Sequence, residues 1–174
     1  MERLYLKLPL LEDKKNVIEF KQEFLGSGQE MAGVSELEQM DCYEDWLTKI
    51  RNEMNKETCV EGRVPATLYL TYRLSDNKLI GIVQVRHELN DYLLKYGGHI
   101  GDCVRPSEQG NGYATEQIGL ALQKCEEFGI KRVLITCLKN NIASARTIQK
   151  NAGKLEDEVM ENGQEKQRYW IDLV

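Results

Sequence analysis

Alternating apolar and polar residues predict strands in the first half of the chain. Leucines alternate with charged or polar residues over 4–8, and a longer alternation of the same kind runs over 66–74. The longer pattern is typical of a strand with one face exposed to water. Asp76-Asn77 predicts a turn into residues 78–87, where apolar side chains on both faces indicate a central strand.

Apolar residues at helical spacing predict helices between and after these strands. The spacing occurs over 17–26, 43–54 and 114–128, and each segment would place its apolar residues on one face. A shorter helix is expected from Asn141 to just before Gly153. These helices would cover the sheet that the strands form.

The second half of the chain predicts four further strands. Residues 99–104 form one, and the continuous Val-Leu-Ile run within 132–138 indicates a buried one. Asn162-Gly163, a strong type I′ turn signal, joins two C-terminal strands at 154–160 and 167–173. The resulting order, β-α-α-β-β-β-α-β-α-β-β, predicts an α/β fold with a mixed sheet.

The composition is that of a globular protein and argues against several other classes. The 174 residues contain no linker-like stretch and no internal repeat, so we expect one domain over 1–174. A net charge of −5, without a Lys/Arg-rich run, argues against a nucleic-acid partner. Without a membrane-length apolar run or a signal-peptide pattern, a cytoplasmic protein is expected. Five cysteines without a C-x-x-C pair, and two histidines, predict no metal site.

A glycine-rich loop lies between the strand at 99–104 and the helix that begins near Ala114. Gly110 and Gly112 would let the backbone approach a ligand closely, because glycine has no Cβ. The free N–H groups of the helix's first turn and the helix dipole favour an anion, so this loop predicts a pyrophosphate site. It lacks both the lysine of a Walker loop and the last glycine of a Rossmann fingerprint. The alternative interpretation is a plain glycine-rich turn.

Three segments resemble motifs of the GNAT superfamily of acyl-CoA-dependent N-acetyltransferases. Gln109-Gly110-Asn111-Gly112-Tyr113-Ala114 is similar to the Q/R-x-x-G-x-G/A motif. Asn141-Ile142-Ala143-Ser144 and Lys150-Asn151-Ala152-Gly153 are similar to the N-x-x-A/S and K-x-G segments that follow it. Residues 86–101 also resemble a bacterial subgroup of predicted acetyltransferases. The resemblance implies a GNAT-like α/β fold: a mixed, mostly antiparallel central sheet of about seven strands, flanked by about four helices and splayed at the acyl-CoA cleft.

The resemblance also implies a reaction, the transfer of an acetyl group from acetyl-CoA to a primary amine by direct attack in a ternary complex. Cys103 and Val104 would pair with the pantetheine arm, and Asn141 and Ser144 would contact its other side. An ordinary helix N-cap explains Asn141 equally well. The remaining cofactor contacts would be Gln109, Gly110, Asn111, Gly112, Tyr113, Ala114 and Thr115. No metal is implied, and a homodimer is usual in the family.

The attacking amine must lose a proton, because an alkylammonium group has a pKa of about 10. His99 is the favoured base, since it lies on the strand that leads into the glycine-rich loop. Glu88, with His87, forms a second candidate at the end of the preceding strand. Asp102 shares the strand with His99 but lies on its opposite face, so only one of the two is expected to face the cleft.

The departing thiolate needs a proton, and the usual donor is missing. Many GNAT enzymes have a tyrosine seven residues after the motif asparagine, where this chain has Ile148. Tyr169 on the last strand is the favoured substitute, with Tyr92, Tyr96 and solvent as alternatives. A structural role is the alternative interpretation of His99, Glu88 and Tyr169 alike.

Two other functions fit the same features. A non-catalytic acyl-CoA-binding or sensor module would keep the loop and lack the chemistry, and a nucleotide-binding protein is the second alternative. The acceptor amine is undefined, although residues 26–61 are expected to line its pocket. The acidic residues there, including Glu36, Glu38 and Asp41, indicate either a cationic amine or a solvated helix face.

Overall fold

The first four strands form one antiparallel sheet. The computed structural model describes residues 2–173, in which β1 (Leu4–Lys7), β2 (Ala66–Arg73), β3 (Leu79–Arg86) and β4 (Ile100–Val104) are neighbours in that order. β3 is buried along almost its whole length, as the apolar character of 78–87 predicts for a central strand. β2 is buried to the same extent, so the water-exposed face predicted for 66–74 is wrong, because both of its faces pack into a core. β4 is the last strand of this sheet, so one of its edges pairs with β3 and the other does not.

The last three strands form a second antiparallel sheet. β5 (Arg132–Leu138), β6 (Lys154–Glu161) and β7 (Gln164–Asp172) pair in the order β5-β7-β6. The turn between β6 and β7 has φ values of 49° at Asn162 and 79° at Gly163. Type I′ turns require positive φ at both central residues, so the predicted hairpin is confirmed.

Helices cover both faces of the first sheet. α1 (Lys14–Ser27) and α2 (Tyr43–Glu53) pack on one face, and α3 (Tyr113–Glu127) packs on the other with α4 (Ile142–Lys150) beside it. The first face buries a core that includes Val17, Phe20, Trp46, Leu68, Leu70 and Ile82. The core on the α3 face also joins the second sheet and includes Val83, Val85, Ile118, Leu122, Ile135 and Tyr169. Alternate residues of β3 therefore enter different cores, as the pleat of a strand dictates.

The two sheets meet at one short junction. The backbone N–H of His99 donates to Leu134 O at 2.7 Å, and a single bridge pairs Gly98 with Ile135. Beyond this point no ladder joins β4 to β5 in the part of the chain that the structure describes. The two strands therefore separate towards the glycine-rich loop.

The predicted fold class and element order are confirmed, with one refinement. The seven strands divide into sheets of four and three instead of one continuous sheet. The sheet divides because, among the described residues, β4 and β5 share hydrogen bonds only at Gly98 and His99 and separate beyond these residues. Over residues 2–173, no helix combines the length and apolar character needed to cross a membrane.

We predict that Gly98→Ala destabilises the protein by roughly 2–4 kcal/mol, because an added side chain would break this junction. A Cβ on Gly98 would lie 2.5 Å from Leu134 O, and the residue has a φ of +69°. Gly28→Ala is a control without the steric contact, since Gly28 has a φ of +70° and nothing within 4 Å of an added Cβ, although its ψ is 9° against −173° at Gly98. The control should cost only the backbone strain, roughly 1–2 kcal/mol. Urea unfolding measures the free energy of unfolding of both variants. Equal losses of stability in the two variants would contradict a tightly packed junction at Gly98.

Candidate functional site

A cleft of about 640 Å³ opens where β4 and β5 separate. One wall is formed by β4 from Asp102 to Val104 and by the start of α3. The other wall is formed by α4, and the segment 29–32 after α1 closes one end. The free edge of β4 thus faces a space long enough for an extended ligand.

The glycine-rich loop presents its backbone N–H groups to this cleft. Gly110 and Gly112 have φ values of 81° and 78°, and Gly112 is the N-cap of α3. A Cβ added to Gly110 would meet no atom within 4 Å, so the space above the loop is open. Among the described residues, none accepts a hydrogen bond from the N–H groups of residues 110–115. Unpaired amides at a helix start form a site for an anion.

Most of the predicted cofactor contacts meet at this cleft. Those that line it are Cys103, Val104, Gln109, Gly110, Gly112, Tyr113, Ala114, Thr115, Asn141 and Ser144. The exception is Asn111, whose side-chain amide donates to Glu108 O at 3.0 Å and whose carbonyl accepts from Arg3 at 3.1 Å. The individual contacts with a cofactor remain predictions.

Two of the predicted contacts also have structural roles. Asn141 is the N-cap of α4, and its Oδ1 accepts from the Ser144 N–H at 3.1 Å. Gln109 donates from Nε2 to Val104 O at 3.0 Å, which joins the loop to the end of β4. The N-cap interpretation of Asn141 is therefore confirmed, and it leaves the Asn141 Nδ2 group on a residue that lines the cleft.

His99 does not line the cleft, because it is buried at the junction of the two sheets. Its Nδ1 accepts from the Leu134 N–H at 2.9 Å, so the neutral ring carries its proton on Nε2. Burial, together with the charge of Arg86, lowers the pKa of His99 to about 4. A ring whose free lone pair is occupied is poorly suited to accept a proton from an amine, so these contacts favour a structural role.

Glu88 and Tyr169 are also outside the cleft. Glu88 is exposed and pairs with Lys56 at 3.4 Å. Tyr169 is buried in the core between the sheets, and its hydroxyl donates to Gln167 Oε1 at 2.8 Å. His87, the partner suggested for Glu88, contacts Thr67 at 2.8 Å and stacks on Phe128. Catalytic roles for these residues have no geometric support here.

Asp102 is the acidic group that β4 directs into the cleft. Gln117 Nε2 donates to its Oδ2 at 3.1 Å, from a side chain that is fully buried. Burial raises the pKa of Asp102 to about 6, and the Gln117 hydrogen bond opposes this shift because it favours the ionised form. Gln117 could have been recognised in the sequence, because it is a polar residue on the otherwise apolar face of α3.

Two cations also line the cleft, and the sequence analysis did not select them. Arg146 and Lys150 lie four residues apart on α4, so they share one helix face across from the glycine-rich loop. Their positive charge and the unpaired amides favour the same kind of ligand, an anion. Within residues 2–173, no group of three or more His, Cys, Asp or Glu residues is arranged to hold a metal ion.

The separation of β4 from β5 and the anion site at the start of α3 are together typical of one class of fold. A family model identifies that class. The model for the acetyltransferase (GNAT) domain matches residues 3–154, which is most of the chain. The protein therefore belongs to the GNAT family of acetyltransferases, as its motifs predict. A search of curated proteins found no match.

Solved structures share the fold over nearly the whole chain. RimL, the ribosomal L7/L12 alpha-N-protein acetyltransferase in complex with coenzyme A, has a TM-score of 0.71 at 17% identity, over 99% of this chain and 96% of that one. The acetyltransferase that modifies the N-terminal serine of L7/L12 in Salmonella typhimurium has a TM-score of 0.64 at 20% identity, over 100% and 97%. A chimera of spermidine N-acetyltransferase SpeG from Vibrio cholerae and hSSAT has a TM-score of 0.65 at 16% identity, over 98% and 96%. At these identities the likeness shows the fold alone.

We predict that Gly110→Ala weakens acetyl-CoA binding about tenfold or more, because its Cβ would fill the space above the amides. Gly129→Ala is the matched control at the other end of α3, since Gly129 has a φ of +76° and an equally open surrounding, against +81° at Gly110. Both substitutions should cost similar backbone strain. Isothermal titration calorimetry measures the two affinities, and equal binding by both variants would contradict a phosphate site at this loop.

Proposed function

We propose that the protein transfers an acetyl group from acetyl-CoA to a primary amine, by direct attack of the amine on the thioester. The observation that carries this proposal is the set of unpaired N–H groups at residues 110–115, at one end of a cleft that follows the free edge of β4. Membership of the GNAT family supports it. Its structural neighbours include acetyltransferases of protein N-termini and of spermidine, and both kinds of acceptor are amines.

The cleft fits the parts of coenzyme A. The pyrophosphate would accept hydrogen bonds from residues 110–115, and the side chains of Arg146 and Lys150 would supply positive charge from the opposite wall. The pantetheine arm carries amide groups, which would hydrogen-bond to the free edge of β4 as an added strand does. The register with β3 leaves the backbone groups of Asp102 and Val104 at this edge, whereas those of Cys103 pair with β3. The thioester would then lie beside Asp102.

Asp102 is our candidate for the proton carrier. With a pKa of about 6 it is mostly ionised at neutral pH, yet it is a stronger base than an ordinary aspartate. As the amine nitrogen bonds to the acetyl carbon, its proton would pass to the Asp102 carboxylate and the C–S bond would break. The proton would then pass from Asp102 to the thiolate sulfur, so one carboxyl group would serve both steps.

The position of Ile148 fits this arrangement. Ile148 lines the same cleft as Asp102 and occupies the position where many GNAT enzymes have a tyrosine acid. A carboxyl group that returns its proton to the thiolate makes a separate acid unnecessary. His99 is the less suitable carrier, since its Nδ1 already accepts from Leu134.

The alternative function is a non-catalytic acyl-CoA-binding module, which the apolar side chain at 148 also favours. The two functions differ in thiol release. Acetyl-CoA incubated with a panel of amines should release free thiol far above background hydrolysis if the protein is an enzyme. Binding of acetyl-CoA without such release would support the binding module instead.

We predict that Asp102→Asn lowers kcat by about 10²–10⁴-fold and leaves acetyl-CoA affinity within about twofold, because the amide cannot accept the amine's proton. Steady-state kinetics and calorimetry measure the two quantities. Asp91→Asn, at an exposed aspartate outside the cleft, is the control and should retain activity. Full activity of the Asp102 variant would exclude this residue as the proton carrier.

Asp102→Asn should also raise the free energy of unfolding at pH 8, by on the order of 1 kcal/mol relative to the wild type. The folded state holds the Asp102 pKa above the ordinary value of 3.8, so ionisation of this group costs stability as the pH rises. Below pH 3.8 the carboxyl is mostly protonated in both states, and the gain from asparagine should disappear. Thermal unfolding at several pH values tests this sign.

We predict that Gln117→Leu moves the acidic limb of the kcat/KM profile to higher pH. In the wild type this limb should lie near the Asp102 pKa of about 6, because activity falls as the carboxylate is protonated. Gln117 donates a hydrogen bond to that carboxylate, and its loss removes the one interaction that opposes the raised pKa. A variant with lower activity and an unmoved limb would indicate a packing role only.

A further inference from the structure

A second cavity of about 370 Å³ adjoins the cleft. Met31 and Gly33 line this cavity, and Ala32 between them lines the cleft. Gly33 packs directly on β4, since a Cβ on it would lie 2.0 Å from Gly101 O. A molecule in the second cavity is therefore close to the strand that would hold the thioester.

Two of the three carboxylates that line this cavity, Glu36 and Glu53, are neutralised by the protein, and the third, Glu38, is exposed. Glu36 pairs with Lys49 at 2.7 Å and with Arg63, and these two cations lower its pKa to about 2. Glu53 is buried, accepts from Ser35 at 2.7 Å and pairs with Lys49 at 3.3 Å. The charges of Glu36 and Glu53 therefore have partners within the protein and do not call for a cationic acceptor.

Arg86 is different, because it forms no ion pair among the described residues, although the charge of nearby Glu53 favours its ionised form. Its Nη1 donates to Gly97 O at 3.1 Å and to Gly98 O at 2.9 Å, at the end of the π-helix Leu93–Gly97. Within residues 2–173, its guanidinium forms no salt bridge and its Nη2 and Nε donate to no acceptor. The two carbonyl bonds fix the plane of the guanidinium, and the side chain lines the second cavity.

The position of Arg86 limits the size of the ligand that would reach both sites. A Cβ on Gly101 would lie 3.3 Å from Arg86 Nη2, and Asp102 is the next residue along β4. An anionic group bound to this guanidinium would therefore lie beside β4 next to Gly101, and the amine would reach the thioester past the free edge of β4, because Gly101 and Asp102 point to opposite faces of the strand. The acceptor amine and its anionic group must be separated by a short spacer.

We propose that Arg86 binds the carboxylate of the acceptor, and that the acceptor is a free amino acid or a similar short amino-carboxylate. This proposal rests on the proposed function. A planar guanidinium matches a carboxylate through two parallel hydrogen bonds, and a cavity of 370 Å³ has room for one amino acid. A polyamine lacks the carboxylate, and the N-terminus of a protein has an amide in its place.

A comparison of acceptor amines with and without a free carboxylate tests this proposal directly. The purified protein is assayed for thiol release with free L-amino acids, their carboxamides, a tripeptide and spermidine. We expect at least about tenfold higher kcat/KM for the free acids than for their carboxamides, mainly through KM. Arg86→Gln should remove that preference, so that the free acids and their carboxamides have kcat/KM values within about twofold of each other, and Arg86→Lys should restore part of it. Arg63→Gln, at a cation of the cavity that pairs with glutamates, should retain it.

The comparison of acid with carboxamide needs no variant, so it holds even where Arg86→Gln fails to fold. Equal or better use of the carboxamide, the tripeptide or spermidine would overturn the proposal and leave the proposed function in place. Calorimetry of a free amino acid with the CoA-saturated protein separates the two claims. Binding without thiol release would support the carboxylate site and overturn the acetyl transfer.

Discussion

The hydrogen bonds between His99 and Leu134 determine where a cleft opens between β4 and β5. They join the two sheets at one point, and beyond it the free edge of β4 and the start of α3 face an open cleft. A longer ladder between β4 and β5 would close this space, and without any contact the two sheets would share no backbone hydrogen bond. The same constraint explains His99 itself, whose ring is buried and neutral because it completes the junction.

Charge compensation separates the structural from the functional groups. Glu36 and Glu53 have cationic partners, whereas Asp102 has one neutral donor and a raised pKa, and Arg86 pairs with no carboxylate in the described part of the chain. Uncompensated charges cost stability, and proteins retain them mainly where a ligand or a reaction uses them. Asp102 lines the cleft and Arg86 the adjoining cavity, so the two would act on opposite ends of one acceptor.

Features that depend on local backbone chemistry could be predicted from the sequence. The glycine-rich loop and the Asn162-Gly163 turn follow from positive φ values, and the helices follow from the spacing of apolar residues. The division into two sheets could not be predicted, because it depends on contacts between residues far apart in the chain. Pleat alternation separated His99 from Asp102 correctly, but only the packing of Gln117 shows which of them faces the cleft.

The central claim is that the backbone amides of residues 110–115 bind the phosphates of coenzyme A. Amide chemical shifts of the ¹⁵N-labelled protein, recorded during titration with acetyl-CoA, test it residue by residue. We expect the largest shifts at residues 110–115, and we expect them to saturate together with those of Asp102 and Val104. Saturable binding that leaves the amides of 110–115 unchanged would contradict it.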